Sequence, residues 1–246
     1  MVIIPEIIFE DENLLVFNKP SGLLSIRDSK HPKEKTIIDA AVEYLKGARV
    51  FPVHRIDKDT SGVLILAKNR ETQTAMGEIL ANQKMRKLYL AIVKGEVKAP
   101  GQVTLPILKG SSGKVKISKD GKKSLTLYRI RKKYKGYTLL EVEPKTGRTH
   151  QIRIHMASIA RPLAYDHVYG DRKALVLERK GKAPFSTKRL TLHASDAMFM
   201  YWKTHRSLHL RAALPEDFKE IIGVLEEGYA AVPEKQIQAK NSPQEQ

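Results

Sequence analysis

Residues 54–69, His-Arg-Ile-Asp-Lys-Asp-Thr-Ser-Gly-Val-Leu-Ile-Leu-Ala-Lys-Asn, join a dense polar cluster to a purely apolar run. The cluster holds His54, Arg55, Asp57, Lys58, Asp59, Thr60 and Ser61. After Gly62 the chain passes into Val63–Ala67, which reads as a buried strand. Charge therefore sits at the mouth of a core element. Arg55 and Lys58 flank Asp57, and cations that close favour an ionised carboxylate, which suits an aspartate that must stay anionic inside a cleft. The plainer reading is a strand-entry turn in which Asp57 or Asp59 caps backbone amides and the other charges are solvated.

The chain has 246 residues, enough for one large domain or two small ones, and one is expected. Its 44 Lys plus Arg against 27 Asp plus Glu give a net charge of +17, which calls for a polyanionic partner. Nucleic acid is the first choice. A membrane surface is the weaker one, because no long basic amphipathic helix stands out. Without cysteine there is no disulfide, thiolate nucleophile or cysteine zinc site, in keeping with a reducing compartment. Acids at Glu6, Glu10, Asp11 and Glu12 argue against a signal peptide, and the apolar runs fall short of a membrane span. A cytoplasmic protein is expected.

Val2–Phe9 and Leu14–Asn18 read as short strands, and Lys19-Pro20-Ser21-Gly22 then breaks the pattern. Helices are expected at Thr36–Leu45, with Thr36 as N-cap, and at Arg70–Asn82. Met85–Gly95 is apolar on both faces, so it should be a central strand, and by pattern alone Tyr89 fits a core tyrosine. Lys109–Lys123 holds six lysines and three glycines, as either a solvated basic hairpin or an arm that contacts phosphates. Ser124–Lys133 and Tyr137–Glu143 alternate like antiparallel strands. Arg148, His150 and Arg153 then crowd into six residues. His150 and His155 are five apart, unlike a helical zinc pair, so no metal site is expected. A helix is expected around His155–Ile159, and Asp171–Lys188, basic without a clear period, is read as another RNA-facing loop. The last helix opens at Leu214-Pro215 and runs to about Leu225. The expected division is a domain over 1–228 and a disordered polar tail over 229–246.

Together these stretches resemble the RluA family of RNA pseudouridine synthases. Residues 54–68 are similar to its catalytic motif, His-Arg-Leu-Asp-x-x-Thr-Ser-Gly opening a strand that ends in Ala-Lys, with Ile56 in place of the usual leucine. Asn18–Leu23 resembles the first family motif, Lys87-Leu88-Tyr89 the Lys-x-Tyr motif, Pro144–Ala157 the third motif, and Leu190–Ala194 the closing one. Two positions depart from the pattern. Tyr165 stands before Asp166 where the family usually has glycine, which would strain a left-handed backbone, and Arg206 follows His205 where proline is usual. The likeness runs from Ile4 to Ile222.

The resemblance implies an α+β pseudouridine synthase fold, with a mixed, mostly antiparallel sheet, flanking helices and a central catalytic cleft. It also implies isomerisation of uridine to pseudouridine in RNA without a cofactor. Asp57 then acts at the ribose, Arg153 holds its carboxylate, and Tyr89 stacks on the base and accepts a proton. The uridine must be flipped out, at a cost of roughly a few kcal/mol, with Arg55 filling the vacated space. His54, Arg148, His150 and Lys19 complete the expected RNA-binding set. The expected partner is a tRNA or rRNA stem-loop, read by a monomer with no membrane attachment. An S4 RNA-binding module is not expected, because the catalytic pattern begins within the first twenty residues. Two rivals are weighed. A kinase-type His-Arg-Asp loop is broken by Ile56 and lacks its companion motifs. A non-catalytic RNA-binding protein or chaperone would need the basic surface but not Asp57, Tyr89 and Arg153 together.

Overall fold

Val63–Ala67 does lie inside a strand that is buried along its whole length, and the rest of the fold is arranged on either side of it. The computed structural model describes residues 4–27, 32–110, 113–179 and 181–228. In chain order these form β1 (Ile7–Glu10), β2 (Leu14–Lys19), α1 (Ile37–Tyr44), β3 (Phe51–Pro52), β4 (Ser61–Ala67), α2 (Arg70–Ala81) and β5 (Arg86–Lys94). There follow β6 (Gly101–Val103), β7 (Ile107–Lys109), β8 (Val115–Ile117), β9 (Thr126–Tyr134), β10 (Tyr137–Pro144) and α3 (Gln151–Ser158). The chain continues through β11 (Leu175–Arg179), β12 (Lys182–Thr187), β13 (Leu192–Tyr201), β14 (Arg206–Arg211) and α4 (Glu216–Glu226).

Ten strands make one sheet in the order β1-β2-β4-β13-β5-β10-β9-β6, with β3 also on β4 and β14 also on β13. Only β4 and β13 pair parallel; every other neighbour is antiparallel, giving the mixed, mostly antiparallel α+β sheet. Both faces are covered. Leu15, Phe17, Leu64 and Leu66 pack with Ile37 and Ala41 of α1, while Leu14, Val16, Val63 and Ile65 pack with Met76 of α2, as the two-residue period of a strand demands. In the other half, Ile92 packs with Phe218, Ile221 and Leu225 of α4, and Ala91 and Val93 pack with Ile152 and Met156 of α3.

The local signals act as expected at α1 and α2. Thr36 and Asp39 form a reciprocal capping box, and Asn69 caps α2 through Thr72 N. Elsewhere the structure corrects the reading. The helix expected around His155 begins at Gln151. Asp171–Lys188 is not an irregular loop: β11 and β12 form a hairpin that buries Leu175 and Leu177 against α4. The first strand starts at Ile7, and residues 1–3 lie outside the described ones. Lys109–Lys123 folds as the β7–β8 hairpin, with residues 111–112 outside the described set, and the tail expected over 229–246 is outside it too. Tyr165 is not among the residues with positive φ, so no strain arises there, and its ring is buried in the core under α4. No helix among the described residues is long and apolar enough to cross a membrane.

Candidate active site

The crossing of β4, β13 and β5 brings distant residues together. Ala194 of β13 stands opposite Gly62 on one side and Tyr89 on the other. A side chain at Gly62 would put its Cβ 2.1 Å from the Ala194 carbonyl oxygen, and its φ is +113°, so only glycine lets the strands approach this closely. The turn before Gly62 carries Asp57 and the strand beyond Ala194 carries Tyr89; both line one cleft of about 520 Å³. The opposite wall is residues 144–153, with Leu192 also lining the cleft.

That wall is held by Gln151. Its Oε1 accepts from Arg148 N at 3.0 Å and Thr146 Oγ1 at 2.7 Å, while its Nε2 donates to Leu125 O and Thr126 Oγ1, both at 3.0 Å. His150, left-handed at φ 54°, turns the chain into α3, whose next turn delivers Arg153. The Arg153 side chain is 4% exposed and donates from Nη1 to Asp57 Oδ2 at 3.1 Å. Its Nε and Nη2 donate to the two oxygens of Asp166, each at 2.7 Å. Asp166 also accepts from the amides of Val168 and Tyr169, and the Tyr169 ring lies 5.4 Å from the guanidinium. Burial works against charge on both partners. The Asp166 hydrogen bonds nevertheless raise the Arg153 pKa, and those from Arg153 lower that of Asp166. The pair is therefore locked in its charged form, and Asp57, with its side chain 20% exposed, is the carboxylate left facing the cleft.

His150 Nε2 is 3.9 Å from Asp57 Oδ1, and its Nδ1 meets the Tyr169 hydroxyl at 3.0 Å. Burial lowers its pKa despite Asp57, so the imidazole is neutral at pH 7. Tyr89 is raised, first by burial and then by the Asp57 charge, so its phenol keeps its proton. Arg55 and Arg148 are exposed at the cleft wall.

One expected RNA contact, Lys19, needs correction, and another, His54, stays in the cleft but without charge. Lys19 is 0% exposed and donates from Nζ to the carbonyls of Pro20 (2.8 Å), Leu23 (2.7 Å) and Lys58 (2.8 Å), so its ammonium is spent beneath the Asp57 turn, away from any phosphate. Burial brings its pKa down to about 7. His54 lines the cleft, but its Nε2 accepts from Ile65 N at 3.1 Å, while Val53 N donates to Ile65 O just past the end of the β3–β4 ladder. Burial pushes it down to about 3, so it brings no charge to RNA.

The sequence reading misses Asp166, Arg189 and Gln151. Arg189, also buried, donates to Asp59 O (3.2 Å), Ser61 Oγ (2.5 Å) and Asp217 Oδ2 (2.9 Å), clamping the far end of the same turn. Ser61 in turn meets His193 Nδ1 at 2.8 Å, but His193 Nε2 faces the Ala212 carbonyl, so this buried serine–histidine pair is structural. The available signal is position: Asp166 follows Tyr165, already singled out, Gln151 lies inside 144–157, and Arg189 borders 190–194. Among the described residues no group of three or more His, Asp or Glu is arranged to hold a metal ion.

Residues 13–158 match the model of the RNA pseudouridylate synthase family. The chain belongs to that family. Among curated members it is 38% identical to ribosomal large subunit pseudouridine synthase C of Pasteurella multocida, over 90% of this chain and 68% of that protein. It is 34% identical to tRNA pseudouridine synthase C of Vibrio cholerae, over 88% of this chain and 94% of that one. The fold is shared with human RNA pseudouridylate synthase domain containing 4, at a TM-score of 0.71 and 24% identity over 92% of this chain and 94% of that one.

Proposed function

We propose that this family member isomerises specific uridines to pseudouridine in structured RNA, with Asp57 acting at the ribose of a nucleoside flipped into the cleft. The observation that carries this reading is one carboxylate, Asp57, facing the cleft and bonded to a buried guanidinium whose other face is taken by Asp166. Such a carboxylate is anionic, fixed in direction and only partly hydrated, as attack at C1′ or proton removal at C2′ requires. The C1′–N1 bond breaks, the uracil turns in place, C5 bonds to C1′, and the proton lost from C5 is balanced by one gained at N1. Tyr89, kept protonated beside Asp57, serves as the stacking surface. The C5 proton is left to the carboxylate or to water. Arg55 enters the duplex in place of the flipped base, and Arg148 contacts phosphate.

The curated relatives named above are called synthases for ribosomal RNA and for tRNA, which supports RNA as the partner and leaves both classes as targets. Action as a monomer in the cytoplasm remains part of the proposal. In a tritium-release assay on bulk RNA labelled at uridine C5, Asp57→Asn should lose at least about 10³-fold in turnover with RNA binding retained. No release by the wild type, with RNA still bound, would favour a binding protein or chaperone instead.

A further inference from the structure

Among the cations of the cleft, Lys87 is unlike the rest. It is largely buried on the Tyr89 face of β5, two residues away, and lines the cleft with Leu80, Gln83, Met85 and His54. Among the described residues its ammonium has neither a hydrogen bond nor an ion pair. Burial alone lowers its pKa, with no carboxylate opposing the shift. Its charge reaches His54, a neutral imidazole whose pKa burial lowers first and Lys87 lowers further. Loop 144–148 closes beside it without supplying an acceptor: a Cβ on Gly147 would stand 3.9 Å from Lys87 Nζ. A desolvated, unpaired ammonium costs stability, and folds do not keep one for packing. Met85, two residues before Lys87, packs with Ile79 and Leu80 of α2, which puts Lys87 towards the α2 side of the cleft.

We propose that Lys87 is a phosphate subsite: it binds one RNA phosphodiester flanking the flipped nucleotide, with Gly147 leaving room for the phosphate and Arg148 on the same wall. The inference rests on RNA as the partner but not on catalysis. It also explains why a part-buried charge is kept here without a protein partner, since binding supplies the anion that the protein withholds.

The test replaces Lys87 with Met, which fills the space without charge, and with Arg, and measures binding of fluorescein-labelled penta-uridylate from 50 to 300 mM salt. Lys87→Met should reduce the slope of log K against log salt by about 0.7, the share of one single-strand phosphate, while Lys87→Arg keeps it. Lys87→Met should also melt at a temperature equal to or above wild type. An unchanged slope or a lower melting temperature would each overturn the proposal. Because slope and melting are read without turnover, a wild type that releases no tritium would sink the catalytic reading and leave this one still tested.

Discussion

The interior and the cleft of this protein treat positive charge in opposite ways. Beneath and behind the Asp57 turn, Lys19, Arg153 and Arg189 are buried and fully engaged by carbonyls, a hydroxyl and carboxylates. Along the cleft, Arg55 is exposed, Arg148 reaches only a carbonyl at 3.5 Å, and Lys87 has no partner among the described residues. A cation whose donors are all used inside the protein sets geometry, whereas one left unsatisfied awaits a ligand. The residue type does not distinguish the two roles; the acceptors around it do.

The contrast can be broken most forcefully at Asp166. Asp166→Ala strips the buried guanidinium of its bidentate partner and should cost about 3–5 kcal/mol in urea unfolding. Turnover should fall with it as Arg153, already bonded to Asp57 through Nη1, turns its freed donors onto that carboxylate, whereas intact stability would mean the pair is dispensable scaffolding. Acid attacks the same interior. His193, fully buried beneath the turn, is pushed down to about 4, and His54 to about 3. The unfolded chain takes up protons near 6.5, so the folded state binds fewer below that pH and stability falls as pH drops. For His193 the loss is about 2 kcal/mol by pH 5. Thermal melts at pH 7 and pH 5 read it, and equal melting would contradict the neutral assignment. The smallest expected effect separates scaffold from ligand contact. Lys19→Met should cost about 1–3 kcal/mol by leaving three carbonyls unsatisfied, without changing the salt slope of RNA binding. Arg148→Ala should do the reverse, lowering the slope by about one phosphate contact with stability unchanged. Swapped outcomes would invert the two roles.

Much of the site was legible because its residues sit in contiguous stretches whose order on the chain is itself informative. The polar-to-apolar switch at Gly62, the two-faced apolar strand carrying Tyr89, and the crowding of Arg148, His150 and Arg153 all became walls of one cleft. Reading Lys19 as a phosphate contact failed because a basic residue beside a Pro-Gly break looks the same whether it faces solvent or three carbonyls. Asp171–Lys188 looked aperiodic because so few of its residues reach the core: Leu175 and Leu177 of β11, with Phe185 of β12 packed against them. Tyr165 looked costly until its backbone proved to be free of positive φ.

The sequence by itself determined the strands and helices that patterning and caps encode, the excess of positive charge, and the aspartate, tyrosine and arginine offered to one site. Tertiary structure alone decided which carboxylate stays free and which is consumed, since that depends on Arg153 meeting Asp57 and Asp166 at once across a separation of 96 residues on one side and 13 on the other. It also decided which cations are satisfied. Hydrogen-bond acceptors and dielectric are properties of what surrounds a side chain, and those surroundings are assembled from parts of the chain that no local pattern connects.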